Sequence, residues 1–345
     1  MAGGYRLFYI TEGAEVFLEN LELRDGYSSE TGGGGAIYSK GNLVLTSCVL
    51  RNNRADNHGG AIYSKGNLAL TSCVLKNNRV GGDGGGINSY MGTLAMSACT
   101  VVGNNATLRG GGIRIYKGQA SIKSCNITGN FANRQGGIDV YNATMIMSNC
   151  TVERNEASLN AGGIRTYYGH TTMTNCNIID NVANTTYGGG VFAWKGKLYM
   201  KDCTISRNTA GTTGGGLDMY GGAHVMIDNS RIEQNKAGTS GGGIYNDESS
   251  GTNTIFVSGA PRLIDNIPAQ GCPAVCPRVC DSFCRNQAAV TSTTHKPTPT
   301  FRPRTGRESR VHRKRGRHLH TVPHCILRPR PWVLFLQDVS REHGV

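Results

Sequence analysis

Hydrophobic residues along this chain come in short alternating runs. Leu43 and Leu45 stand two apart between Asn42 and Thr46, and Cys48 and Leu50 continue the run after one extra residue. Far downstream, Val225, Ile227, Ser230 and Ile232 repeat the same spacing. Alternation with period two marks β-strands that bury one face. Gly, Asn and Ser punctuate the runs, so each predicts a strand of a few residues ended by a turn. Helices are not expected, because two or three glycines per unit cost too much helix propensity.

The pattern is written many times. GGAIYSKGNLVLTSCVLRNN runs from Gly34 to Asn53, and GGAIYSKGNLALTSCVLKNN from Gly59 to Asn78. A small-residue pair, Gly-Ala or Gly-Gly, precedes an aliphatic residue at Ile37, Ile62, Ile87, Ile113, Ile138, Ile164, Val191, Leu217 and Ile244. Successive intervals are 25, 25, 26, 25, 26, 27, 26 and 27 residues. A cysteine column follows at Cys48, Cys73, Cys99, Cys125, Cys150, Cys176 and Cys203, with Ser230 in the eighth place. Five residues after each of these stands an asparagine: Asn53, Asn78, Asn104, Asn130, Asn155, Asn181, Asn208 and Asn235. A fixed period in this range means a repeat architecture.

Short strands repeated at this interval predict an all-β fold, a right-handed parallel β-helix of about ten coils between Val16 and Asn266. At ~4.8 Å per coil such a rod is ~50 Å long. Identical residues then stack in columns. The asparagines are expected to bond one another and to hold left-handed turn geometry, and the Gly-Gly pairs to supply positive φ at another corner. Gly26 stands where the first coil would carry its asparagine. Residues 1–268 form the repeat domain, 269–287 a Cys-rich segment, and 288–345 a basic tail rich in Pro, Arg and His.

The paired motifs carry a resemblance. GGAI at Gly34–Ile37 and Gly59–Ile62 resembles the GGA[ILV] motif of the polymorphic outer membrane proteins of chlamydiae. Their FxxN partner motif is similar to LRNN, LKNN, VVGN, ITGN, VERN, IIDN, ISRN and IEQN here, with an aliphatic in place of Phe. The likeness covers residues 16–266. It implies secreted autotransporters that act as surface adhesins, with a signal peptide and a C-terminal membrane β-barrel. Neither is visible in this sequence. The N-terminus is therefore expected to be truncated, and the location to be extracellular or the cell surface. No run approaches ~18 apolar residues, so no membrane segment is expected in this chain.

Charge changes the picture little. The formal net charge is +13, but residues 261–345 hold 15 Lys+Arg against 5 Asp+Glu, a net of +10. The basic character belongs to the tail, which reads as disordered or as an artefact of gene prediction. Nucleic acid is not an expected partner. The stacked cysteines read as a reduced, buried column, since aligned side chains point in parallel and Ser230 fits the same place. Cys272, Cys276, Cys280 and Cys284 at the spacing C-x3-C-x3-C-x3-C leave a disulfide knot, a zinc site or no role open. No cofactor and no metal is expected. Asn105, Asn126, Asn142, Asn149 and Asn184 head N-glycosylation sequons.

Candidate chemistry lies on one expected outward face. The position after each landmark aliphatic reads Tyr38, Tyr63, Asn88, Arg114, Asp139, Arg165, Phe192, Asp218 and Tyr245. Arg114, Asp139 and Arg165 on adjacent coils read as a surface ion-pair ladder, and as the only catalytic candidates for a polysaccharide lyase or epimerase. Two carboxylates at glycosidase spacing are not found. Two residues further on stands a column of Tyr90, Tyr116, Tyr141, Tyr167, Trp194 and Tyr220, preceded by Lys40 and Lys65. An exposed aromatic strip is either mutual stacking or a flat surface for sugar rings. The expectation is a non-catalytic adhesin or structural rod. Its ligand is a polysaccharide or a host or neighbour cell-surface protein, held by the aromatics with Arg114, Asp139 and Arg165 bonding hydroxyls. The alternative is a polysaccharide-active enzyme on the same fold.

Overall fold

The computed structural model describes residues 5–29, 32–247, 249 and 251–268. The Cys272–Cys284 cluster and the basic tail lie outside them. The described residues build a β-helix of ten coils, each with four strands. One coil shows the plan: Ile113–Tyr116, Gln119–Lys123, Asn126–Thr128 and Phe131–Arg134. Each strand pairs in parallel with its counterpart above and below, giving four ten-stranded sheets. We call them the first to fourth sheets in chain order, with three corners between them and a return loop back to the first.

Register is strict. Ile113 pairs with Ile138, Ala120 with Met145 and Ile127 with Val152, so inward side chains stack on their equivalents. The core is a single buried column of Ile, Leu, Val, Met and Cys from Ile10 to Ile232. A smaller buried cluster of Ala55, Val80, Ala106 and Ala132 lies under the fourth sheet. Its small residues let the chain turn back tightly.

The asparagine ladder is real and runs beyond the eight copies. Asn104 donates from its backbone N and its Nδ2 to Asn130 Oδ1, both at 2.9 Å, and Asn104 Nδ2 also reaches Leu75 O at 3.0 Å. The same pattern ends on Asn266, and at the other end Gly26 N donates to Asn53 Oδ1. The expected reason for asparagine is corrected. The left-handed residue is the one before it: Asn52, Asn77, Gly103, Gly129, Arg154, Asp180, Arg207 and Gln234. The ladder residue points inward and satisfies backbone groups that no strand can reach.

The glycines are corrected in the same way. Positive φ falls three residues before the landmark aliphatic, on Gly84 and Gly110 but also on Gln135 and Ala161. The following position is glycine in all nine coils for another reason. A Cβ on Gly111 would sit 2.4 Å from Gly136 O and from Phe131 O, and one on Gly85 would sit 2.1 Å from Gly111 O. Stacked backbones leave no room there.

The cysteines are free and buried, as expected, but they are more than apolar filler. Cys99 N donates to Cys125 Sγ at 3.3 Å, and Cys99 Sγ donates to Ser97 O at 3.2 Å. Ser230 does the same work with oxygen, accepting from Cys203 N at 3.0 Å and donating to Asp228 O at 2.8 Å. The column satisfies the second corner as asparagine satisfies the third. Contact with neighbouring thiols, together with burial, pushes the Cys73, Cys125 and Cys176 thiols up.

Candidate functional site

The position after the landmark aliphatic is not a surface. Arg114 and Arg165 are each 6% exposed and Asp139 is 0% exposed. The return loop folds back over this column. The Cβ that Gly110 lacks would lie 3.1 Å from Arg114 Cβ, and that of Gly214 would lie 2.4 Å from Asp218 Cβ. What reads as a surface ion-pair ladder is therefore a buried one. Arg165 Nε donates to Asp139 Oδ1 at 2.8 Å, and Arg114 Nε lies 3.5 Å from Asp139 Oδ2. Arg114 also pairs closely with Asp83, which the return loop supplies and which the sequence alone does not single out. These three residues offer nothing to a ligand's hydroxyls, and Asp139 is not placed to act on a substrate from solution.

Burial shapes the titration of this column. Desolvation lowers the Arg114 pKa, against the pull of Asp139. His58, at the column's edge, is lowered by its own burial and by Arg114 and Lys65. Burial pushes Tyr63 up to about 12. Asp218 is pushed up to about 7 by burial, with Thr213 Oγ1 donating to its Oδ2 at 2.6 Å.

The aromatic column forms as expected. Tyr90, Tyr116, Tyr141 and Tyr167 stack at 5.0–5.1 Å with interplanar angles of 11–14°. Trp194 meets Tyr167 and Tyr220 edge to face at 5.1 and 4.7 Å. The stack continues through Tyr63, Tyr38 and Tyr9, which belong to the column of Asn88 and Arg114. Within the parallel stack, ring faces are spent on each other. What reaches solvent from these half-buried rings is a row of edges and hydroxyls rather than a flat strip.

Beside this stack, the first corner opens a groove of about 500 Å³ that crosses several coils. Its floor is small: Gly66, Gly92, Gly118 and Ala143. A Cβ on Gly92 or Gly118 would fall 2.2 or 2.3 Å from a carbonyl of the preceding coil. One wall is the corner itself, where Met91, Lys117, Asn142 and Tyr168 hold positive φ and stand exposed. The other wall is a polar row of Asn67, Thr93, Gln119, Thr144 and His170. Asn67 Nδ2 donates to Asn42 Oδ1 at 2.9 Å, and Thr93 Oγ1 to Asn67 Oδ1 at 2.6 Å. Sequence reasoning does not find the groove. Its signal was present in the small residue that follows the aromatic column by two positions.

A family model for the right handed beta helix region matches residues 96–258, and one for the Chlamydia polymorphic membrane protein repeat matches residues 47–65. The fold is a right-handed β-helix, and one stretch of it is similar to the polymorphic membrane protein repeat. Among solved structures, the β-helix is similar to the periplasmic alginate epimerase AlgG, with a TM-score of 0.39 and 11% identity over 74% of this chain and 76% of that one. No curated protein sequence matches it. Among the described residues no helix is long and apolar enough to cross a membrane, and no group of three or more His, Cys, Asp or Glu is placed to hold a metal ion.

Proposed function

We propose that this β-helix is a non-catalytic adhesin or structural rod, secreted or displayed on a cell surface, that contacts an extended ligand along its first corner. The ligand class is a polysaccharide chain or a protein surface on a neighbouring or host cell. One observation carries the reading: the corner groove presents a row of amides and hydroxyls beside Lys65, Lys117 and Tyr168, and no Asp or Glu lines it among the described residues. General acid–base work on a glycosidic bond calls for paired carboxylates in reach of the sugar. The match to a repeat of the Chlamydia polymorphic membrane proteins supports the location.

A catalytic reading has one specific foothold, since Tyr168 and His170 both stand exposed at the groove. Such groups can move a proton next to a uronate carboxylate. The two readings separate in one experiment. In the full chain with Trp332→Phe, Trp194 is the single tryptophan. Titration with a panel of polysaccharides is expected to give a saturable change in its fluorescence that Tyr168→Ala weakens. Ultraviolet absorbance from new unsaturated ends, or a changed uronate stereochemistry, would replace the adhesin with an enzyme. A silent panel of glycans and cell-surface proteins would leave the corner without a binding role.

A further inference from the structure

We propose that the corner groove takes a linear polyanionic glycan, a chain with a carboxylate or sulfate on its sugars, laid parallel to the solenoid axis. The inference rests on the groove being the contact surface and adds the charge and direction of the ligand. Two observations carry it. The first is charge. Lys65 and Lys117 stand exposed at the groove, two coils apart. Their ammonium groups lie 5.6 and 5.4 Å from the ring centroids of Tyr90 and Tyr116 rather than on carboxylates. Lys195 occupies the same corner further along, over Tyr168 at 5.4 Å. A cation seated on a ring keeps most of its charge for an incoming anion. With no acid in the lining, the potential along the groove is of one sign.

The second observation is spacing. Coils repeat at ~4.8 Å, the separation of hydrogen-bonded strands. That rise is close to the advance per sugar of an extended pyranose chain, so one sugar lies over each coil. The glycine floor lets the chain approach the backbone, and the opposite row of Asn67, Thr93 and Gln119 meets the hydroxyls. Lysines two and then three coils apart call for a charge on most sugars but not a fixed sulfation pattern. A neutral glucan would find the same hydroxyl partners and no partner for the lysines.

The test uses the full chain and compares polyuronate, sulfated glycan and neutral glucan fragments of equal length by calorimetry at two salt concentrations. The basic tail is present in every variant, so only differences between variants count. The expected result is salt-sensitive binding of a charged fragment that the Lys65→Glu, Lys117→Glu pair weakens about tenfold, as two partly screened contacts should. Reversal of Arg79→Glu, exposed on the fourth sheet, is expected to leave it unchanged. The two charged fragments decide whether carboxylate or sulfate is preferred. Far-ultraviolet dichroism checks that each variant keeps its β-helix. Equal affinity in wild type and the double variant would assign the anion binding to the tail and overturn the proposal. Neutral glucan binding that Tyr168→Ala weakens would also overturn it while leaving the adhesin reading intact, and absence of all glycan binding would overturn it and leave a protein surface as the adhesin's ligand.

Discussion

Two buried polar columns run through this solenoid, and they are built on opposite principles. The asparagine column uses one residue type in every coil after the first, and each side chain bonds the next asparagine and the backbone around it. The ionic set of Asp83, Arg114, Asp139 and Arg165 alternates carboxylate with guanidinium and bonds side chain to side chain. The first satisfies its atoms. The second leaves Asp83 Oδ1, Arg114 Nε and Asp139 Oδ2 without a hydrogen-bond partner. The partners of asparagine include backbone groups, which stay in place when a neighbouring side chain changes. The partners of the ions are other side chains, which can be exchanged together. One column is therefore a condition of the fold, and the other is a local solution to a packing problem.

The largest effect should come from breaking the first column. Asn130→Leu strands Asn104 N and Val101 O and takes one of the two partners of Asn104 Nδ2. Each buried orphan costs about 1–3 kcal/mol, so the coil should lose about 4 kcal/mol or more. Because repeats can open locally, hydrogen exchange at the Asn104 amide is the right readout beside urea unfolding. A loss under about 1 kcal/mol would show that water replaces the ladder without penalty.

The ionic column should answer differently to single and joint changes. Asp139→Leu alone leaves two buried guanidinium groups facing each other and should cost about 3 kcal/mol. Changing the set together, with Asp83→Asn, Arg114→Met, Asp139→Leu and Arg165→Met, should return stability to within about 1 kcal/mol of the native chain. If the joint variant unfolds as readily as the single one, the ions specify the fold and the contrast with asparagine fails.

Asp218 sharpens the comparison through pH. Its folded pKa is about 7, raised by burial above its ordinary value of 3.8. The folded state then holds a proton that the unfolded chain gives up between those values. Stability from this group is fully present at acid pH, and is lost as pH rises toward about 7. Asp218→Asn should remove that decline and stabilise the protein at pH 8 by about 2 kcal/mol. Parallel unfolding curves for both proteins from pH 4 to 8 would contradict it.

The smallest effect belongs to the second corner. Cys125→Ser should change stability by less than about 1 kcal/mol, since Ser230 already makes the same two bonds. Native protein should also resist thiol reagents until it unfolds, because all seven stacked thiols are buried.

How much of this could be read in advance follows from what repeats. Period, register and the inward columns were legible because Leu43, Cys48 and Asn53 recur at fixed spacing, and spacing dictates stacking. The reason for each residue was less legible. Left-handed geometry falls on Asn52 rather than Asn53, and on Gln135 as well as on glycine. Sequence alternation marks a strand's two faces but says nothing of a loop returning over one of them, so Arg114, Asp139 and Arg165 looked outward. Asp83, in that loop, had no period to betray it. The aromatic column was legible as a column, while the use of its faces in stacking needed ring planes. The groove was hidden because glycine floors look like any other turn.

The corners also differ in elasticity of length. From Cys to Asn the count is five in each of the eight coils, as in Cys48 to Asn53 and Ser230 to Asn235. From the landmark aliphatic to the Cys position it grows from 11, Ile37 to Cys48, to 13, Leu217 to Ser230. From Asn to the next aliphatic it ranges from 8, Asn130 to Ile138, to 10, Asn181 to Val191. In these eight coils length changes are thus confined to the two bends that flank the first sheet, while the last coil adds one residue at the second corner, between Val257 and Leu263. As a scaffold, the solenoid has one closed side that fixes its thread and one open side where new sequence can be grafted. Whole coils can be added or removed without disturbing the thread, while a single residue lost between Cys and Asn turns a strand inside out.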